Sequence, residues 1–349
     1  MKFQVINKAL KDTLKLVLPN IITIKVLNNT LEILVINDTE KILMKLESFT
    51  WGLGQVRIYS KEIYEIIKNL EDKDTIEFEI TEDNFFIRSN YFETSIKIYD
   101  FIPSTTEEVM DYNIIQEFKV SYNSLKEVIE RVKVSIGEEE LCNNVLIEFE
   151  DDKISLITTD KICLTKASTY LNNDLKLSYR ISKNIIEIIS KIKNDIKILI
   201  TNKNIVFKIN TDYGEIIIEN LIENNKFFDY REIIPYDCMV SFRVKSDNLL
   251  NSIKKINKCI TEKTKKIILE LDGDYLNLEG IDEEKLIKDR IWVENLKKQN
   301  GKIKIYSKYL EKILSRIKNE GVDISFNENS GTFKLETHNL LFLLAALKE

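Results

Sequence analysis

A chain of 349 residues is longer than one hydrophobic core usually supports, so two or three domains are expected. It is 44% hydrophobic and 31% charged, as soluble globular proteins are, and its net charge of −6 taken alone argues against nucleic-acid binding. No run of about 18 apolar residues exists, which excludes a membrane-spanning helix, and Met1 to Gln4 opens directly into a strand pattern without a signal peptide's apolar segment; a cytoplasmic protein with no membrane partner is expected.

The first predicted element is a short strand through Phe3 and Val5, followed by a helix with apolar residues at Leu10, Leu14 and Val17. The next is a helix after Ser60, with its stripe at Ile63, Ile66, Ile67 and Leu70. Strands over Thr75–Ile80 and Phe85–Arg88 follow, joined by the polar turn residues Glu82 and Asp83. The first pattern then returns: Phe118 and Val120 lead into Leu125, Ile129 and Val132. Strands at Asn143–Glu150 and Lys153–Thr158 flank the turn pair Asp151-Asp152. The second pattern returns after Ser182, with Ile185, Ile188, Ile189 and Ile192, and strands over Ile196–Thr201 and Asn204–Ile209.

Both patterns appear a third time. Phe242 and Val244 precede Leu249, Ile253 and Ile256, and Ser307 precedes Leu310, Ile313, Leu314 and Ile317. The accompanying strands are Lys266–Leu271, Tyr275–Gly280, Val322–Phe326 and Gly331–Glu336. Three repetitions in register, at offsets of about 115–125 residues, mark a structural repeat. Ser60, Ser182 and Ser307 stand at predicted N-caps. The fold class is therefore α+β: six β-α-β-β-β units paired into three similar domains, 1–115, 116–238 and 239–349. Boundaries fall near Glu108–Gln116 and Pro235–Cys238, and two of the three prolines, Pro103 and Pro235, lie at or near them.

Chemistry-bearing motifs are few. Cys142, Cys163, Cys238 and Cys259 have no metal-ligand spacing and read as free thiols, and His338 is the single histidine, so neither metal nor cofactor is expected. No phosphate-binding loop, G-x-S-x-G or H-E-x-x-H motif occurs. The acidic groups Glu138-Glu139-Glu140 and Asp151-Asp152 leave open a metal-dependent nuclease, although their loop positions suit solvated charge. A scaffold with no DNA role is a third reading.

Three paired β-α-β-β-β units in about 350 residues resemble the bacterial replicative sliding clamp, the beta subunit of the replicative DNA polymerase, over essentially the whole chain. Met1-Lys2-Phe3-x-Val5 is similar to that family's start, and Thr159-Asp160-x-x-x-Leu164 stands where it has Thr-Asp-Gly-His-Arg-Leu. The strongest match is Phe227-Phe228-Asp229-Tyr230-Arg231-Glu232-Ile233-Ile234-Pro235, against the family's Phe-Pro-Asp-Tyr-Arg-x-hydrophobic-hydrophobic-Pro. Departures are Lys161-Ile162-Cys163 for Gly-His-Arg, Phe228 and Ala345 for prolines, and a shortened connection around Pro19-Asn20.

The resemblance implies a non-catalytic processivity factor, a homodimeric ring around double-stranded DNA with helices lining the hole and sheets outside. Helix windows 7–17, 61–70, 124–134, 183–194, 247–258 and 307–318 together carry +10, leaving −16 for the rest of the chain. That asymmetry suits a ring that attracts phosphates inside and repels DNA outside. The DNA-binding candidates are Lys11, Lys15, Lys61, Arg131, Lys183, Lys191, Lys254, Lys308 and Arg316. The resemblance also implies a pocket for a peptide of the polymerase and clamp loader, lined by Thr159, Leu164, Phe228, Ile233, Leu343, Leu344 and Ala345. It implies a dimer contact between Phe92, Thr94, Ile96 and Ile98 of one chain and the region of Cys259 and Ile260 in the other. A diverged clamp serving plasmid, phage or repair synthesis is the alternative within the class.

Overall fold

The computed structural model describes residues 1–90, 92–98, 100–103, 105, 112–137, 139, 142–222, 227–261, 265–282, 285–327 and 331–347. Its six helices among these residues are α1 (Asn7–Leu16), α2 (Ser60–Ile67), α3 (Tyr122–Val132), α4 (Lys183–Lys191), α5 (Ser246–Cys259) and α6 (Ser307–Leu314). The chain gathers into two compact units: residues 1–122 with 184–223, and residues 123–183 with 224–349.

Unit 1 holds two antiparallel sheets. The smaller has the order β5-β1-β7-β8-β9, with β1 Lys2–Ile6, β5 Phe49–Trp51, β7 Thr75–Ile80, β8 Asn84–Ser89 and β9 Phe92–Lys97. The larger has the order β10-β6-β2-β3-β4-β18-β17-β16-β11. Its strands are β2 Ile21–Leu27, β3 Thr30–Ile36, β4 Glu40–Glu47, β6 Gly54–Tyr59, β10 Phe101–Ile102, β11 Ile114–Val120, β16 Ile196–Thr201, β17 Asn204–Thr211 and β18 Gly214–Leu221.

Unit 2 repeats the plan. Its nine-stranded sheet runs β15-β12-β13-β14-β27-β26-β25-β19-β23, and its four-stranded sheet runs β22-β21-β20-β24. The strands are β12 Asn144–Glu150, β13 Lys153–Thr159, β14 Cys163–Tyr170, β15 Leu177–Ser182, β19 Val240–Lys245, β20 Lys266–Asp272, β21 Tyr275–Ile281, β22 Leu286–Trp292, β23 Glu294–Asn295, β24 Gly301–Tyr306, β25 Gly321–Asn327, β26 Thr332–Thr337 and β27 Leu340–Ala345.

In chain order the elements spell β-α-β-β-β six times, with β5, β10 and β23 as short additions. The mixed α+β class and its repeated clamp-type unit are thus as the hydrophobic periods predict. The expected strands agree with the observed ones to within a residue or two. Strands such as β7 alternate buried and less buried positions, because neighbouring side chains point to opposite sheet faces, whereas β3, β12 and β13 are buried at five consecutive positions.

In unit 1, α1 packs on α2 and on β1, and Phe3, Phe78 and Phe85 form an aromatic trio beneath them. Phe3 stacks on Phe78 with centroids 4.6 Å apart, and Phe85 meets Phe78 edge-on at 5.5 Å. All three are essentially solvent-free. Phe78→Ala is therefore expected to cost about 3–5 kcal/mol, through lost transfer energy and a cavity. A urea unfolding curve with a lowered midpoint and an unchanged slope checks this.

Two of the predicted serine N-caps, Ser60 and Ser307, are corrected. Ser60 is the first residue of α2, completely buried; its hydroxyl accepts from the Asn20 amide at 3.1 Å and donates to the Val17 carbonyl at 3.3 Å. The Ser307 hydroxyl donates to Asn257 and to the Lys265 carbonyl. Ser182 ends β15 and stands directly before α4, at the predicted N-cap position. At a sealed helix start, the hydroxyl bonds to the adjacent backbone of another element and not to its own first turn. Asn7 acts comparably: its buried amide donates to the carbonyls of Ile67, Leu70 and Glu71, closing the C-terminal end of α2.

Gly214 joins two repeats at the β4–β18 seam. Its φ is +151°, and a Cβ there would lie 1.9 Å from the Lys45 carbonyl oxygen, so no other residue fits this close approach.

Candidate nucleic-acid interface and partner surface

Helical periodicity decides which basic residues reach solvent. On α1 the buried stripe includes Leu10, Lys11 and Leu14, leaving Lys8, Asp12 and Lys15 exposed. Lys11 is corrected as a DNA ligand: its ammonium donates to the Leu70 carbonyl at 3.0 Å and pairs with Asp72. That contact holds the Asp72 carboxyl below its ordinary range. Arg131 is corrected likewise. It is 2% exposed and its guanidinium binds Glu127 at 2.6 Å, Glu320 at 3.6 Å and Asn339, so it staples α3 to the turn after β26.

The other seven sit at varied depth. Lys61, Lys191, Lys254 and Lys308 are exposed, and Lys183 is half-buried. Lys15 lies 3.5 Å from Asp12 on the exposed face of α1, and Arg316, in the turn after α6, lies 2.7 Å from Glu130. Lys8, Lys126, Lys258 and Lys312 are exposed helix residues that the sequence reading passed over. Spacing could have found one of them: Lys8 is seven residues from Lys15, which is two helical turns on the same face.

The Thr159, Leu164 and Leu343 region lies on the outer face of the nine-stranded sheet of unit 2. Leu164 on β14 pairs with Leu343 on β27, and Thr159 on β13 pairs with Leu164. Across them lies the segment from Phe227 to Ile234, with a single 3-10 turn at Tyr230–Ile233 whose start is capped by Asp229 accepting from the Arg231 amide at 3.1 Å. Tyr230 drops into a cluster with Leu146, Ile157, Leu164 and Leu343, flanked by the partly buried Phe227, Ile234 and Leu341.

This seals part of the expected pocket. Leu164 and Leu343 are 2% and 3% exposed, packed under Tyr230, and so form the support of the surface instead of its accessible lining. Leu344 is corrected: strand alternation sends it to the opposite face, where it is completely buried in the core. Thr159 is half-buried and its hydroxyl donates to the Cys163 carbonyl at 2.8 Å, tightening the β13–β14 turn. Phe228, stacked on Phe227 at 4.9 Å, is 45% exposed; Ile233 is 48% exposed, and Ala345 is exposed at the end of β27. Ile162 and Leu341 add apolar surface that the sequence reading did not include.

The repeat provides an internal control. Counted along the paired strands, Leu164 and Leu343 of unit 2 occupy the places of Lys41 and Glu219 in unit 1, which face each other across β4 and β18. The same sheet face is thus apolar in one unit and charged in the other.

The expected dimer residues divide. β9 is an edge strand of its sheet, with Phe92, Thr94 and Ile96 on one face and Glu93, Ser95 and Lys97 on the other; Ile98, just beyond it, is buried. Cys259 and Ile260 form no strand edge. Cys259 ends α5, and Ile260 is 4% exposed with its amide bonded to the Ile256 carbonyl. The strand after them, β20, is flanked by β21 and β24 and has no open edge. In that sheet the open strand is β22, since Lys304 of β24 already accepts from the Leu347 amide at 2.8 Å.

Asp151 and Asp152 occupy the β12–β13 turn with φ of +54° and +57°, an ordinary hairpin role; Glu138 and Glu140 lie outside the described residues. No described helix is long and apolar enough to cross a membrane.

Comparison with known proteins agrees with this architecture. The family "DNA polymerase III beta subunit, N-terminal domain" matches residues 240–347. That a first-domain family matches the last third of this chain is what internal repetition predicts. The beta sliding clamp of Buchnera aphidicola subsp. Rhopalosiphum padi is 23% identical over 366 aligned positions, covering 97% of this chain and 96% of that protein. The beta sliding clamp of Rickettsia bellii is 24% identical, covering 79% and 77%. Among solved structures, the DNA polymerase III beta subunit of Thermotoga maritima has a TM-score of 0.84 at 17% identity, covering 100% of this chain and 99% of that one. The subunit from Pseudomonas aeruginosa has a TM-score of 0.83 at 15% identity, with 100% of both chains covered. Six repeated units, and strand registers that join them into two nine-stranded sheets, accompany whole-length similarity in sequence and fold to the DNA polymerase III beta subunits, or sliding clamps.

Proposed function

We propose that the protein is a DNA sliding clamp, a processivity factor that encircles duplex DNA and tethers DNA polymerase and other replication or repair proteins. The observation that carries this is the charge asymmetry of the repeated helices: +10 on the six helix windows against −16 elsewhere. A closed ring need not hold any base, and phosphates attracted to lysines on repeated helices let it slide without reading sequence. It works without catalysis, by prolonging the stay of the polymerase.

In this reading the domains are 1–115, 116–238 and 239–349, and two chains close the ring head to tail. The pairing edges are β9 of one protomer and β22 of its partner. Both present unpaired backbone groups, Phe92 and Ile96 suit Ile287 and Ile291 on the helix side, and Glu93 suits Lys288 or Arg290 on the outer side. The test is retention on nicked circular DNA: a ring stays on the circle and is released when the circle is linearised. Equal retention on circular and linear DNA rules out enclosure.

The partner surface for a peptide of the polymerase or clamp loader is formed by Phe227, Phe228, Ile233, Ile234 and Leu341. Phe228→Asp with Ile233→Asp is expected to weaken polymerase binding by at least about tenfold, as loss of apolar anchors does. The mass in solution stays at twice 40.9 kDa. Surface plasmon resonance beside light scattering checks both statements. The sealing of Leu164 and Leu343 under Tyr230 favours a second reading within the class, a clamp of plasmid, phage or repair synthesis whose partners carry an altered motif.

A further inference from the structure

Glu148 is an unusual residue for the outer face of a sheet. Its side chain is 4% exposed, yet its carboxylate is held by three donors: the Tyr230 hydroxyl at 2.8 Å, the Lys166 ammonium at 2.9 Å and the Arg231 guanidinium at 3.0 Å. The Lys166 ammonium also donates to the Tyr230 hydroxyl at 2.8 Å, and Arg231 reaches on to Glu150 at 3.2 Å. Both cations lie over the Tyr230 ring, at 4.9 Å for Arg231 and 5.3 Å for Lys166. Burial and the neighbouring Glu148 carboxylate push the Tyr230 hydroxyl above its ordinary pKa, so it remains a donor. Two side chains of the 3-10 turn and one lysine of the sheet therefore converge on one carboxylate.

The repeat shows that this arrangement is not a by-product of the fold. In unit 1 the place of Glu148 along the paired strands belongs to Lys25. There the tyrosine before β11, Tyr112, donates instead to Glu219 at 2.6 Å, on a different strand of the sheet. Each unit anchors one tyrosine from the segment entering its next repeat: in unit 1 Lys208 lies over the Tyr112 ring and Asn204 also donates to Glu219, and in unit 2 the carboxylate itself takes the tyrosine, the adjacent arginine and a sheet lysine.

We propose that Glu148 is the positioning residue of the partner surface: it holds Tyr230 and Arg231 to the sheet so that Phe227, Phe228 and Ile233 stand in one fixed arrangement. The proposal rests on the partner-surface reading for its consequence, but the anchoring itself is measured separately. The removal of the buried carboxylate leaves the Lys166 ammonium without its charge partner, and the turn loses its two bonds from Tyr230 and Arg231 to Glu148 at once.

The experiment is hydrogen–deuterium exchange of full-length dimeric protein carrying Glu148→Leu, Glu148→Gln or Tyr230→Phe, beside titration with a fluorescein-labelled peptide ending in Leu-Phe. Amides of residues 229–234 are expected to exchange at least about tenfold faster in Glu148→Leu, with the β19 amides unchanged, because local opening is governed by local contacts. Glu148→Gln, which keeps hydrogen bonding, restores part of that protection, and Tyr230→Phe loses an intermediate share. Peptide binding weakens in the same order. Unchanged exchange at 229–234 in Glu148→Leu overturns the proposal, as does tighter peptide binding, which would make the turn a plug. If the wild-type protein does not bind the peptide while exchange still follows the order above, the partner-surface reading fails and the anchoring stands.

Discussion

Replacing Lys61, Lys191 and Lys254 together by Glu lowers the affinity for a duplex oligonucleotide at 50 mM salt by at least about a hundredfold, with the dimer intact. The three residues are exposed on α2, α4 and α5, so one substitution falls in each of three repeats. In a dimer they remove about six phosphate contacts, and each contact accounts for a slope of about 0.9 in the dependence of log affinity on log salt. Fluorescence anisotropy across a salt series therefore reads both the loss and a flattened slope. Exposed substitutions of this kind change stability by about 0.5 kcal/mol or less, so folding is not the cause. An unchanged slope would remove these helix faces from the DNA path. Lys11→Glu is the contrasting control: with its ammonium on the Leu70 carbonyl and Asp72, its loss lowers stability and leaves the salt slope alone.

Phe92→Asp or Ile291→Asp turns the dimer into monomers. Phe92 lies on the edge strand β9, 40% exposed, and Ile291 is half-buried on β22. Pairing of the two edges would cover both side chains, and a carboxylate covered without a partner costs about 2–4 kcal/mol or more. With two such contacts in a closed ring, each variant carries that cost twice, and the dissociation constant rises by at least about a thousandfold. Light scattering at micromolar concentration is expected to give 40.9 kDa in place of twice that mass. Variants at Cys259, at the end of α5, leave the mass unchanged, because no open strand lies there. Dimers that persist with both β9 and β22 altered would place ring closure elsewhere.

Sheet order is what separates these two edges from the one expected from sequence. Resemblance directed attention to the region of Cys259 and Ile260, which is adjacent in sequence to β20. Alternation of apolar residues marks β20 as a strand, but it carries no information on which neighbours that strand takes. β21 and β24 occupy both of its sides, and the open position passes to β22, some twenty residues further on.

Periodicity by itself determined the fold. The change from a period of two to a period of 3.6 at Val5, Val120 and Val244 depends only on which side chains must leave water, and that choice is local. Its threefold return determined the repeat, and the summed charge of the helices determined the DNA reading, since a sum over six elements tolerates an error at any one of them. Individual roles depended on what each side chain meets after folding. Lys11 and Arg131 count as basic helix residues in the sequence, yet the neighbouring C-terminal end of α2 takes up the first and the turn at Asn339 takes up the second. Leu343 and Leu344 are equivalent in composition, and only strand pairing sends one beneath Tyr230 and the other into the core. Glu148 reads as an ordinary outward residue of an alternating strand; its three donors come from 18 to 83 residues away, a convergence that no local pattern encodes and that tertiary packing alone decides.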